Sequence, residues 1–243
     1  MIDLRMGRYQ DVLRDVHCDA VICDPPYSAR THAGHDAGAG LANRGTWKRP
    51  SGGKDRCRPR REICYQSWGQ DDVDEFTDFW VPRCRGWFVV LSDSDLCSAW
   101  RGSFERHGLV GFQPLPCLIP GMTVRLAGDG PSSWAVYANV ARPRVLHRWG
   151  TLPGGYHGPR GEREHVGGKP LWLMRALIRD YTARGDVLCD PTAGAASTLI
   201  AAGEEGRVAI GAEVDPDTYA AGMSRLRRGY TPGFDFGDAD DGR

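Results

Sequence analysis

The sequence predicts an α/β fold with a mostly parallel sheet and helices on both faces, and three observations carry this. Ala20-Val21-Ile22-Cys23, Trp87-Phe88-Val89-Val90-Leu91 and Val187-Leu188-Cys189 are short continuous apolar runs, as expected of strands covered on both sides. Segments of helical spacing alternate with them, as parallel strands require. Two of the runs end in an acid followed by proline, at Asp24-Pro25-Pro26-Tyr27 and at Asp190-Pro191-Thr192-Ala193-Gly194. Proline has no N–H for a sheet ladder, so each strand must leave the core there.

Composition narrows the class. The 243 residues suffice for one large domain with a substantial core, and 41% hydrophobic with 26% charged residues suits a globular chain. No apolar run is long enough to span a bilayer, and Met1-Ile2-Asp3-Leu4-Arg5 lacks the build of a signal peptide, so a cytoplasmic location is expected. The eight cysteines include no C-x-x-C pair, and Cys57, Cys64, His32 and His35 lack ligand spacing. Free thiols and no metal site are expected. A formal net charge of zero makes the distribution of charge more informative than its sum.

In chain order, Ile2-Asp3-Leu4-Arg5-Met6 alternates as a strand until Gly7 breaks it. Asp11 to Val16 is a short amphipathic helical piece, and Asp19 to Cys23 is the strand that delivers the chain to Asp24. Residues 28–67 then carry nine basic against three acidic residues, with frequent glycine. So strongly basic a segment, directly after a candidate site turn, reads as an arm for a polyanion, with Arg30, Arg44, Lys48, Arg49 and Arg58 for phosphates and Trp47 for stacking.

Val73, Phe76, Phe79 and Trp80 share a helical face, Trp87 to Leu91 is a buried strand, and Ser92-Asp93 suits the cap of a helix ending near Arg106. Leu115 to Ile119 and Ser133 to Val140 read as strands around a loop from Gly121 to Pro131. A second basic stretch, 141–165, contains Arg142, Arg144, Arg148, Arg160 and Arg163. Lys169-Pro170 opens a helix with Leu171, Met174, Ile178 and Tyr181 on one face, closed by Gly185. Asp186 to Cys189 is a strand, followed by the second turn and a helix to about Ala202. Arg207 to Ala212 is the next strand, closed by Glu213, and Asp215-Pro216 starts a helix bearing Tyr219, Met223 and Leu226. The chain is expected to form one domain over 1–243, with inserted arms 28–67 and 141–165 and a frayed tail 230–243.

The two turns carry the chemistry. At the second, small residues let backbone approach a ligand, the helix start presents free N–H groups, and an acid ends the next strand, an arrangement suited to a nucleotide-like molecule. At the first, an acid and free carbonyls leave a central strand beside an aromatic ring. Together the turns resemble the amino-methyltransferases that use S-adenosylmethionine to methylate exocyclic amines of DNA bases. Asp24 to Tyr27 is similar to their catalytic [Asp/Asn/Ser]-Pro-Pro-[Tyr/Phe/Trp] motif, Asp190 to Leu199 to their cofactor motif, and Lys169-Pro170 to the Lys-Pro before their first cofactor helix. Catalytic motif first is the order of their β subclass.

The resemblance implies a Rossmann-like methyltransferase sheet, mostly parallel with one antiparallel strand. It implies Asp24, Pro25, Pro26 and Tyr27 as catalytic residues. Lys169, Asp190, Thr192, Gly194, Ser197, Thr198 and Glu213 would bind S-adenosylmethionine. The implied partner is DNA, with a homodimer as the candidate assembly and no membrane. Asp as the first motif residue is the usual adenine-N6 form. Cytosine-N4 methylation and a non-catalytic nucleic-acid-binding module stay open, as does glutamine methylation in proteins, where Asn more often stands first. The sequence departs from the family at Thr192, where Phe is usual, at Ala196, where a glycine is usual, and at Arg8, which replaces an acid after Gly7.

Overall fold

The computed structural model describes residues 1–33, 66–121, 133–147, 150–160 and 168–228. Among the described residues nine strands form one sheet: β1 (Ile2–Met6), β2 (Cys18–Cys23), β3 (Cys84–Ser92), β4 (Val110–Gly111), β5 (Leu115–Leu118), β6 (Ala135–Arg142), β7 (Tyr156–His157), β8 (Val187–Asp190) and β9 (Val208–Glu213). Their order is β1-β9-β8-β2-β3-β6-β5-β7, with β4 also on β6. β1, β9, β8, β2 and β3 are mutually parallel. β6 runs antiparallel to β3, β4 and β5, and β7 is parallel to β5, so β6 alone opposes the rest.

Six α-helices lie wholly within the described residues: α1 (Tyr9–Val12), α2 (Gln70–Trp80), α3 (Cys97–Arg106), α4 (Leu171–Tyr181), α5 (Ser197–Glu204) and α6 (Pro216–Arg227). They divide between the two faces because the central strands alternate. Ala20 and Ile22 of β2, with Trp87, Val89 and Leu91 of β3, pack on the side of Leu173, Met174, Leu177 and Leu199 from α4 and α5. Val21 and Cys23, with Phe88 and Val90, pack on the side of Val73, Phe76, Trp80, Trp100 and Phe104 from α2 and α3. Both faces of the strands are thus buried, which is why their sequences read as unbroken apolar runs. Each fully buried large side chain contributes about 1.5–3 kcal/mol relative to an exposed one.

Several boundaries differ from the sequence expectation. The first helix lies at Tyr9–Val12 rather than at 11–16, because Tyr9 is buried edge-on against Phe76 and Phe79, at 5.6 and 5.3 Å between ring centroids. Leu13 and Val16 are buried beyond its end without helical structure. β6 runs on to Arg142, so 141–142 belong to the sheet rather than to an inserted arm. Within the second basic stretch Tyr156–His157 adds an edge strand to β5, and the Tyr156 hydroxyl donates to Asp180 Oδ2 at 2.7 Å. The expected tail 230–243 lies outside the described residues.

The connection after β2 leads to α2 on one face, while that after β8 leads to α5 on the other. β2 and β8 are neighbours. Connections that diverge to opposite faces open a crevice at the carboxyl ends of adjacent strands, the place where open α/β sheets take their ligands. Both acid-proline turns lie there.

Candidate active site

β2 ends at Cys23, so Asp24 is the first residue past the central strand. The Tyr27 hydroxyl donates to Asp24 Oδ1 at 2.9 Å. Lys169, the second residue before α4, donates from Nζ to Asp24 Oδ2. The same ammonium lies 5.0 Å from the centre of the Tyr27 ring, within cation–π range. The Lys169 side chain is 5% exposed and that of Asp24 22%, so this pair is partly withdrawn from water. Asp24, Tyr27 and Lys169 therefore form one contiguous unit, in which a single cation faces both a carboxylate and an aromatic ring.

Next to it, Asp190 closes β8 and is 1% exposed. Burial pushes its carboxyl up to about 7, against hydrogen bonds from the Thr198 hydroxyl and the Thr192 N–H. The nearby charges of Asp24 and Glu213 push it in the same direction as burial. The Thr192 N–H donates to Asp190 Oδ1 at 3.1 Å, and the Thr192 hydroxyl is buried beside the Cys23 thiol.

The loop 193–196 is tightly turned. Gly194 has φ +53°, and Ala196 has φ +66°, a left-handed conformation that costs a residue with a Cβ about 1–2 kcal/mol. Ala196 is the N-cap of α5 and offers no side-chain acceptor to the first-turn N–H groups. The loop is pressed against β9: a Cβ on Gly211 would lie 2.9 Å from both the Ala193 Cβ and the Asp190 carbonyl. From α6, Arg225 donates to the Ala195 carbonyl and, at 3.0 Å, to Ser197 Oγ. Glu213 ends β9 beside this loop, and its Oε1 accepts the Asp215 N–H at 2.8 Å. Burial raises its carboxyl above the usual range, opposed by backbone N–H donors.

Of the sequence-predicted set, Asp24, Tyr27 and Lys169 bond to one another across Pro25 and Pro26, and Asp190 interacts with Asp24, Thr192, Thr198 and Glu213, with the Gly194 N–H donating toward Glu213. Ser197 lies at the loop's end but is engaged by Arg225. Arg8, at the N-cap position of α1 without a side-chain capping bond, reaches Glu75 at 3.8 Å. Arg30 is exposed in the helical residues 29–33, while Arg44, Trp47, Lys48, Arg49 and Arg58 lie outside the described residues. Three participants escape a reading of the sequence. Arg225 looks like an ordinary helix residue, and Trp68 like a linker residue, yet its N–H donates to the Tyr27 carbonyl at 3.0 Å. Asp93 is visible there only as a cap, and it also accepts from Ser28 and Thr31.

The crevice can hold a flat, amine-bearing group near Asp24 and Tyr27 and a cationic or hydroxyl-rich group near Asp190 and Glu213. Residues 65–223 match a family model described as DNA methylase of the N6/N4 type. The putative methylase YubD of Escherichia coli K12 is 38% identical over 66 residues, 27% of this chain and 29% of that protein. The type II methyltransferase M.HindIII of Haemophilus influenzae is 42% identical over 62 residues, 26% of this chain and 20% of that protein. The matches thus span less than a third of those relatives.

Among solved structures, M1.HpyAVI in complex with SAM aligns with TM-score 0.63 at 18% identity, covering 93% of this chain and 99% of that one. TTHA0409 of Thermus thermophilus, described as a putative DNA modification methylase, aligns at 0.60 and 20% identity, covering 96% and 97%. The cytosine-N4-specific PvuII methyltransferase aligns at 0.64 and 16% identity, covering 93% and 86%. Such identities speak for the fold alone, a Rossmann-like methyltransferase sheet. The family model spans well over half of the chain, and on that ground this protein belongs to the N6/N4 DNA methylase family.

Proposed function

We propose that this protein transfers a methyl group from S-adenosylmethionine to the exocyclic N6 amine of adenine in DNA. The observation that carries the reading is the placement of the Asp24 carboxylate, at the end of the central strand, against Tyr27 and beside Asp190.

The described residues suit this cofactor. Its sulfonium is a cation, and the carboxylates of Asp24 and Glu213 each lie close enough to Asp190 to act on its charge. The turn at Gly194 to Ala196 leaves backbone at the start of α5, and a carboxylate at the end of β9, Glu213, suits the two hydroxyls of a ribose. When bound, S-adenosylmethionine supplies an electrophilic methyl group.

The chain's own residues supply orientation and electrostatics. A base amine is a weak nucleophile because its lone pair is delocalised into the ring. A carboxylate that accepts one of its N–H bonds favours a pyramidal nitrogen and stabilises the positive charge that develops as the methyl arrives. Each carboxylate oxygen has two lone pairs, so Asp24 can accept the amine while keeping its bonds to Lys169 and Tyr27. Lys169 holds the Asp24 carboxyl in one orientation. The Tyr27 ring offers a stacking face for a base turned out of the duplex. The basic segment 28–67, with its charge of +6, would contact phosphate.

The test is to incubate the protein with methyl-labelled S-adenosylmethionine and mixed-sequence duplex DNA, then digest to nucleosides. Label in N6-methyladenine is expected. Label in N4-methylcytosine would keep the class and overturn the base. Unlabelled DNA would overturn the reading.

A further inference from the structure

Asp93 directly follows the last residue of β3, the strand beside β2. Its side chain accepts the Leu96 N–H at 3.2 Å through Oδ1, and this bond alone would cap the short 3-10 turn that leads into α3. The other oxygen reaches elsewhere. Oδ2 accepts the Ser28 N–H at 3.1 Å, the Ser28 hydroxyl at 2.6 Å and the Thr31 hydroxyl at 2.5 Å. Three donors from the residues immediately after Tyr27 converge on one carboxylate oxygen of a residue only 5% exposed. On the other side, the Tyr27 carbonyl is held by the Trp68 N–H at 3.0 Å, and the Trp68 ring packs on Phe76 and Trp100. Tyr27 is thus pinned at its carbonyl and at the following residue. The backbone fixed in this way sets the direction from which its hydroxyl meets Asp24.

We propose that Asp93 is a positioning residue for the methyl-transfer site, holding Ser28 so that the Tyr27 ring keeps its place against Asp24. The proposal rests on the methyl-transfer reading above. A neutral amide cannot replace this carboxylate. Asn at 93 has one carbonyl oxygen, and if that oxygen faces Ser28 and Thr31, its NH2 group meets the Leu96 N–H, donor against donor. Removing the two hydroxyl bonds from the other side, with Ser28→Ala and Thr31→Val, leaves the cap and the Ser28 N–H bond intact and weakens the same hold.

The experiment measures methyl transfer, S-adenosylmethionine binding and amide hydrogen exchange in wild type, Asp93→Asn, Ser28→Ala/Thr31→Val and the triple variant. The expected result is a kcat roughly 10- to 100-fold lower in Asp93→Asn, because a displacement near 1 Å in a reacting pair costs about that much. Cofactor affinity should change by less than about 2-fold, since Asp93 lies outside the segment from Asp190 to Glu213 proposed to hold the cofactor. The Ser28→Ala/Thr31→Val variant should show most of the same loss, and the triple variant little more, as coupled residues do. Exchange at the amides of 27–31 should speed up in parallel. Wild-type kcat in Asp93→Asn, or losses that simply add, would overturn the proposal. If Asp93→Asn does not fold, the Ser28→Ala/Thr31→Val variant decides by itself. If wild type transfers no methyl group to DNA, the methyl-transfer reading fails, and unchanged exchange at 27–31 in Asp93→Asn would separately refute the pinning.

Discussion

Lys169 and Asp24 stand 145 residues apart in the chain and form an ion pair at the carboxyl end of the central strand. The Lys-Pro that opens α4 therefore does more than start a helix: it carries the cation that faces the candidate catalytic carboxylate and the Tyr27 ring.

Removing that cation leaves the carboxylate partly buried and unpaired. Lys169→Met should lower stability by about 1–3 kcal/mol, less than for a fully buried pair because Asp24 keeps some solvent contact. Adding Asp24→Asn should restore most of the loss, because the second change removes the stranded charge. Urea unfolding of the two single variants and the double variant measures this coupling. Additive effects would show that the pair contributes nothing in solution.

Asp190 makes stability depend on pH in a defined direction. Its carboxyl sits at about 7 in the folded chain, mainly through burial, against an unfolded value of 3.8. A folded-state pKa above the unfolded one favours folding below the unfolded value, and that contribution is lost as pH rises through the folded value. Between pH about 4 and 7 this group alone removes up to about 1.4 kcal/mol per pH unit. Burial of Glu213 acts with the same sign. Asp190→Asn should therefore flatten the decline, and its stability relative to wild type should be greater at pH 8 than at pH 5. Urea midpoints across that range provide the check.

Ala196 bears a backbone conformation suited to glycine. Ala196→Gly should change stability by less than about 1 kcal/mol, since relief of the left-handed strain is offset by lost methyl packing and a more flexible unfolded chain. Ala196→Val should cost more than about 2 kcal/mol, because a branched Cβ fits neither the φ of +66° nor the fully buried position. Thermal unfolding of the two variants tests the contrast, and equal shifts would contradict it.

Much of this architecture is legible in the sequence because burial on both faces leaves a plain trace. The runs at 20–23, 87–91 and 187–189 are covered strands, and the acid-proline turns mark where they leave the sheet. The two-residue strands β4 and β7 are too short to show any period, and they exist because β6 and β5 offer them an edge. The start of α1 has no local signal because Tyr9 is drawn by the rings of α2, a contact across about 70 residues. The same limit applies at the site. Asp24, Asp190 and Glu213 stand out through the turns around them, whereas the bonds from Lys169 to Asp24, Ser28 to Asp93 and Arg225 to Ala195 have no local pattern.

The most direct test of the proposed chemistry is single-turnover transfer of labelled methyl from S-adenosylmethionine to duplex DNA by Asp24→Ala beside wild type, with cofactor and DNA binding measured on the same samples. In the proposed mechanism Asp24 orients the amine, so the expected result is loss of label in adenine by at least about 100-fold, with both affinities within a few-fold of wild type. Transfer by Asp24→Ala at the wild-type rate would contradict the role assigned to the carboxylate at the end of β2.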